Sequence, residues 1–377
     1  MHKFLFALTS ILILSCSSER KKDKSELDYV PELVIVDSLV IDRLTVPSVL
    51  DVSPDGSTFL MYDFNTSEFL LVDIMGEVID SSILRGDGKN QMGDQYFVTA
   101  NFISNDEILI QNFWNIFRYG LDFELIEKKE SPYTLITRNV GGGRSSYIFD
   151  NYLYTFSVDK SDEKSYYQSE KDNLYPFMQI RNYPFLEIVA EASFPSTTEM
   201  VKSPGEYLNM EPVLKMKGSK LFALYPNSKE LYTYSFPDLE LIDTLDLNPG
   251  ISFSRVKPTL KEEPPLSGFF KNLAGSDFLN FHFSNEYLLT WYEGAAPQDE
   301  VDGLSREGVG GEEFMKIVKK YKKPFYQIFK DKKKLWEGEL DIKLDAIKNR
   351  LFSFSKPGEA PDEIEKDVQT LYFYELR

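Results

Sequence analysis

Residues 46–84, VPSVLDVSPDGSTFLMYDFNTSEFLLVDIMGEVIDSSIL, decide the fold. Four short runs rich in aliphatic, aromatic and β-branched residues alternate with compact turn signals. These are Pro54-Asp55-Gly56, Asn65-Thr66-Ser67 and Met75-Gly76. Runs of this length and spacing form antiparallel strands joined by tight hairpins. A four-stranded meander of this kind is one blade of a β-propeller.

Working outward, the same rhythm returns at 96–130, at 145–194 with a charged insert over 159–173, at 206–247, and at 278–342 with a long insert. Residues 343–377 supply only three strands, KLDAIKN, RLFSFSK and TLYFYELR. The segment Glu32 to Leu44, ELVIVDSLVIDRL, is a strand-like orphan ahead of the first full unit. A ring cannot leave its last blade with an open edge, so the orphan is expected to complete it. Five complete units and one split unit give an all-β, six-bladed β-propeller whose last blade is closed by an N-terminal strand. Seven blades and two packed β-sandwiches are the alternatives.

The 377 residues are 42% hydrophobic and 14% aromatic, enough for one large β domain with a substantial core. Phe (29) and Tyr (22) are abundant, as suits pleated, half-buried strands. A formal charge of −18 and no visible basic stripe exclude nucleic acid as a partner. The opening MHKFLFALTSILILSC has Lys3, an apolar stretch from Phe4 to Leu14 too short to span a membrane comfortably, and the only cysteine at its end. It resembles a bacterial lipobox with Ser15 before a lipid-modified Cys16. Residues 1–15 are therefore expected to be a lipoprotein signal peptide, 16–31 a polar tether carrying the lipid, and 32–377 a single propeller domain. With Cys16 acylated, no thiol is left for a disulfide or redox site.

The stretch after the first unit, ILRGDGKNQMGDQYF (83–97), has the look of a functional loop. Gly86-Asp87-Gly88 lacks the spacing of a dinucleotide fingerprint, and Asp94 stands where a P-loop needs lysine. A calcium loop begun at Asp87 would place Lys89 on a ligand position. An inter-blade crossover, with glycines supplying positive φ, fits better than any of these or than adhesion through Arg85-Gly86-Asp87. The residues Gly86, Gly88, Asn90 and Gly93 resemble a G-x-G-P-N-x-x-G crossover, with Lys89 in place of the usual proline. Together with SPDGSTFLMYDFNTSEFLLVDIMGE (53–77), they make the chain similar to the six-bladed propeller lipoproteins of Bacteroidetes, and most similar to the DUF4221 group. That resemblance implies a TolB-like ring, an envelope location and no established activity. By the same resemblance, Ser17 after the cysteine implies outer-membrane delivery. SSERKK lacks the acidic run of surface-exported relatives, so a periplasm-facing position is expected.

Two functional classes follow. The preferred one is a non-catalytic binding or scaffolding module for a peptide, glycan or envelope protein, needing no cofactor, with Trp114, Tyr119, Trp291 and Tyr292 as candidate contact aromatics. The alternative is a calcium-dependent hydrolase or lactonase with Asp51, Asn101, Asn209 and Asn280 supplying oxygens at the central channel. Beyond the signal region the only histidine is His282. No HExxH or GxSxG pattern accompanies it, so it reads as structural. The insert 296–324 carries Phe314, Ile317, Val318 and Tyr321 at helical spacing, ended by Pro324. It reads as a cap on a blade rim or as a lid over one face of the ring. The loop 254–268 is expected to border the same face.

Overall fold

A computed structural model describes residues 31–137, 146–161, 175–305, 308–359 and 367–377. Cys16, the signal stretch and the tether as far as residue 30 lie outside them. Six small antiparallel sheets form the ring. Blade 1 is β2 (Ser48–Val52), β3 (Thr58–Asp63), β4 (Glu68–Asp73) and β5 (Val78–Ser82). Blade 2 is β6 (Thr99–Phe102), β7 (Glu107–Gln111), β8 (Asn115–Gly120) and β9 (Leu125–Glu130). Blade 4 is β15 (Val213–Lys217), β16 (Lys220–Leu224), β17 (Glu230–Ser235) and β18 (Leu241–Asp246). Blade 5 is β19 (Phe278–Ser284), β20 (Tyr287–Glu293), β21 (Pro324–Lys330) and β22 (Lys333–Glu339).

Blade 3 departs from the expected four strands. It holds β11 (Ser146–Phe149), β12 (Tyr152–Asp159), β13 (Met178–Asn182) and β14 (Ile188–Ala192), plus a short β10 (Tyr133–Leu135). Both β10 and β11 pair with β12, β11 along its first half and β10 along its last three residues. The innermost position of this blade is thus split between two segments.

Blade 6 closes the ring as expected. Its order is β1 (Leu33–Ile41), β25 (Gln369–Leu376), β24 (Arg350–Ser353) and β23 (Asp345–Ile347). The pairing of β1 with β25 runs from Leu33 opposite Leu376 to Ile41 opposite Gln369. Reciprocal bonds between Glu32 and Arg377, 2.8 and 3.0 Å, extend it by one pair. Gly76 presses the β4–β5 turn against this closing strand. Its φ is +90°, and a Cβ there would stand 1.9 Å from the Val40 carbonyl oxygen, so no other residue fits unstrained.

Burial explains why the middle strands read as continuous apolar runs. Every residue of β3 (TFLMYD) is buried. Leu60 and Tyr62 pack with Phe97, Ile108 and Phe117 of blade 2, while Phe59 and Met61 pack with Ile41, Leu371 and Phe373 of blade 6. A middle strand has a neighbouring blade on each face, so neither face is polar. Outer strands show the opposite pattern: β18 (LIDTLD) is almost wholly exposed. Six apolar clusters fill the six blade-to-blade interfaces, and a seventh lies under the helical insert of blade 5. Each buried Leu or Phe in them contributes about 1.5–3 kcal/mol of transfer free energy. The ring is held blade against blade.

Candidate functional site

Strand order decides where recognition surfaces can form. Within each blade the first-to-second and third-to-fourth connections fall at one end of the ring. The second-to-third and blade-to-blade connections fall at the other. The first end carries tight turns, such as 53–57, 218–219 and 285–286. The second collects 83–98, 193–212, 247–277 and the described parts of 294–323. These long connections share one end, and among them are the insert 296–324 and the loop 254–268 singled out in the sequence.

The axis of the ring holds a cavity of about 310 Å³ lined by all six innermost positions, from β2, β6, β11, β15, β19 and β23. Its polar groups are spent on one another. Asp51 Oδ1 lies 2.9 Å from Lys348 Nζ, and Asp51 Oδ2 accepts the Phe102 amide at 2.8 Å. Burial pushes the Asp51 carboxyl above its ordinary value, against the pull of Lys348 and these hydrogen bonds. Lys348 also donates to the Val52 carbonyl. Asn280 Nδ2 donates to Asp345 Oδ1 at 2.8 Å and to the Ala346 carbonyl at 2.9 Å, while its oxygen accepts the Phe281 amide at 2.8 Å. Lys215 Nζ donates to the Ala346 and Lys348 carbonyls at 3.2 and 3.3 Å. Gln111 of blade 2 donates to Ser146 of blade 3 at 2.8 Å. These contacts link blades 4 and 5 to blade 6, blade 6 to blade 1, blade 1 to blade 2 and blade 2 to blade 3.

His282 follows Asn280 on the same face of β19. Burial first, and the Lys215 ammonium second, push its pKa down to about 3, so the imidazole is neutral across the physiological range. Its Nδ1 is buried with no hydrogen-bond partner among the described residues. Such a group is a cost carried by the fold.

Of the proposed calcium set, the structure brings Asp51, Asn101 and Asn280 to the channel. Asn209 is not there. The inner strand of blade 4 begins at Val213, and Asn209 lies on the preceding connection, donating to Asp277 Oδ2 at 2.5 Å. Asn101 Nδ2 donates to Thr99 Oγ1 at 3.1 Å. An ammonium at 2.9 Å from Asp51 opposes a second cation there. Among the described residues no three His, Cys, Asp or Glu side chains converge as a metal site.

The candidate contact aromatics divide sharply. Trp114 is half exposed on the β7–β8 connection, at the long-loop end, edge-on to Phe113. Tyr119, Trp291 and Tyr292 are buried and are not contact residues, because each lies on a second or third strand with blades on both sides. Tyr119 donates to the Asn90 carbonyl, Tyr292 donates to Glu337 at 2.6 Å, and Trp291 packs 5.8 Å from Tyr326.

The glycine-rich stretch is the blade 1 to blade 2 crossover. Gly86 and Gly93 form an isolated bridge, and the Met92 amide closes back on the Leu84 carbonyl. Asn90 fastens the loop to blade 2 through its carbonyl and its side-chain oxygen, which accepts the Leu125 amide at 3.3 Å. Arg85 lies over the Tyr96 ring at 4.4 Å and donates to the Asp94 carbonyl, so it is drawn back onto its own loop.

The helix Glu312–Tyr321 lays Phe314, Ile317, Val318 and Tyr321 on Phe270, Leu273 and Val301. It caps the insert of blade 5, and none of its residues lines the channel. Beside this cap is a second recess, about 430 Å³, that motif reading did not find. It joins 251–257, the end of the helix Ser267–Leu273, and 295–298. The loop 254–268 and the start of the insert 296–324 both contribute to its lining.

The chain is a six-bladed β-propeller with a self-paired polar channel and one loop-rich end. Its fold is similar to that of a member of the DUF4221 family from Bacteroides vulgatus, 12% identical, covering 92% of this chain and 99% of that one at a TM-score of 0.63. It is also similar to a protein described as exported, from Bacteroides fragilis, 11% identical, covering 92% and 95% at a TM-score of 0.56. The expected likeness to Bacteroides propellers is met at the level of fold. No family model and no curated protein matches the chain.

Proposed function

We propose that this propeller is a lipid-anchored protein of the cell envelope, acting as a non-catalytic module that holds a peptide, glycan or envelope protein at its loop-rich end. The observation that carries this reading is the pairing of the channel's charged and amide groups from blade to blade. General acid–base work needs a group free to exchange protons near a substrate. Here the channel carboxylate Asp51 faces an ammonium, and the neighbouring imidazole is buried and neutral. The long connections provide surface that is not committed in this way. The lipobox ending at Cys16 supports anchoring, and the fold shared with a Bacteroides protein described as exported supports the envelope location.

Capture of the full-length protein from solubilised membranes tests the reading. The same partner is expected in independent captures, and Cys16→Ala is expected to release the protein from the membrane fraction. Continued membrane retention of Cys16→Ala would refute the anchor. Captures that contain only the bait would count against the module.

A further inference from the structure

The recess at the loop-rich end is opposite in sign to the chain as a whole. The chain carries −18 overall, yet Arg255, Lys257 and Lys271 line this recess and no carboxylate does. Two of the three cations are steadied from outside it. Arg255 meets Glu199 at 3.2 Å, and Lys271 is held by Glu263 and the Pro258 carbonyl. A guanidinium has five donors, so one contact to Glu199 leaves most of its fork available. Lys257 is exposed and has no ion-pair partner among the described residues.

The recess is also built rigidly. The Ser276 amide donates to the Ser254 carbonyl at 2.7 Å, and Ser276 Oγ accepts the Ser254 amide at 3.1 Å. This pair of hydrogen bonds straps the 252–254 segment to the start of blade 5. Gly275 lets the two chains meet: a Cβ there would fall 2.5 Å from Val256 Cγ2. Part of the lining is small and apolar, through Ala274, Ala296 and Pro297. A volume of about 430 Å³ suits a small molecule.

We propose that this recess binds a small organic anion, with a carboxylate, phosphate or sulfate held by Lys257 and Arg255 and its apolar part against the alanine–proline wall. The assignment deepens the binding-module reading by giving its loop-rich end a ligand class. Charge-assisted hydrogen bonds from two cations supply the affinity, and the sign of the recess supplies selection over neutral compounds.

Titration calorimetry on the full chain at fixed ionic strength tests this. The probes are acetate, inorganic phosphate, sulfate, glucose 6-phosphate and glucuronate, with glucose as the neutral control. At least one anion is expected to bind saturably, and glucose is not. Lys257→Gln and Arg255→Gln are each expected to weaken that binding about ten-fold. Lys220→Gln, at the tight-turn end, is expected to leave it unchanged. The arms also separate free phosphate or sulfate from a carboxylated or phosphorylated sugar. No saturable binding by any anion, or undiminished binding in the Lys257→Gln/Arg255→Gln double variant, would overturn the proposal. Anion binding without partner capture would sink the module reading alone. Capture with no anion binding would sink the recess alone.

Discussion

The axial channel and the recess beside blade 5 both present lysines, but they use them in opposite ways. In the channel Lys348 meets Asp51, and Lys215 meets two carbonyls of blade 6, so each ammonium ties one blade to another. In the recess Arg255 and Lys271 are met by Glu199 and Glu263 from outside its lining, and Lys257 has no ion-pair partner among the described residues. Charge that is matched across an interface belongs to the fold. Charge left in surplus at a rim is available to a ligand. The comparison breaks most visibly if Lys348 is removed. Lys348→Met leaves Asp51 buried without its counter-charge, and breaking a buried pair costs about 3–5 kcal/mol. Lys348 is itself about a third exposed, so a loss of about 2–3 kcal/mol is expected in urea unfolding. An unchanged midpoint would mean that the channel pair is not part of what holds the ring.

His282 sharpens the channel side through pH. Its folded pKa of about 3 lies below the ordinary 6.5, so the unfolded chain binds the proton more readily. Its contribution is complete above about 6.5 and drains away as pH falls towards 3. At pH 5 the loss relative to pH 7 is about 2 kcal/mol, at about 1.4 kcal/mol per unit. Asp51 acts in the other sense. Its folded pKa is raised, so the folded state holds the proton longer, and its contribution falls as pH rises above 3.8. The decisive measurement is therefore the difference between wild type and His282→Leu. Between pH 7 and pH 5 the wild type should lose about 2 kcal/mol more than the variant. Parallel profiles would show that His282 protonates without cost.

The blades were legible because hairpin chemistry and alternation are local. The units 46–84, 96–130, 206–247 and 278–342 each form a four-stranded blade, and the orphan 32–44 completes the three-stranded C-terminal unit. β10 was missed because three residues beside Pro132 carry almost no periodic signal. Three of the four aromatic candidates are buried for a physical reason, while Trp114 on a connection stays exposed. Alternation suggests a solvent side, but a middle strand in a propeller has another blade on that side, as Tyr119 and Trp291 show. Asn209 falls outside the channel because the inner ladder of blade 4 starts only at Val213. The convergence of the recess is not legible for the opposite reason. It is assembled from three separate segments between residues 251 and 298.

The smallest expected effect is the one that most directly separates the two regions. Lys257 makes no ion pair among the described residues and stands on an exposed rim, so the folded state gains little from its charge. Lys257→Gln should change stability by no more than about 0.5 kcal/mol, as for surface substitutions away from special features. Thermal and urea melts of this variant should overlay those of wild type, in contrast to Lys348→Met. If Lys257→Gln destabilised the protein by an amount close to that of Lys348→Met, the recess would be a structural charge cluster like the channel. A stability-neutral Lys257→Gln that still weakened anion binding would assign the charge to recognition, because folding energy and binding energy would then depend on different lysines of the same ring.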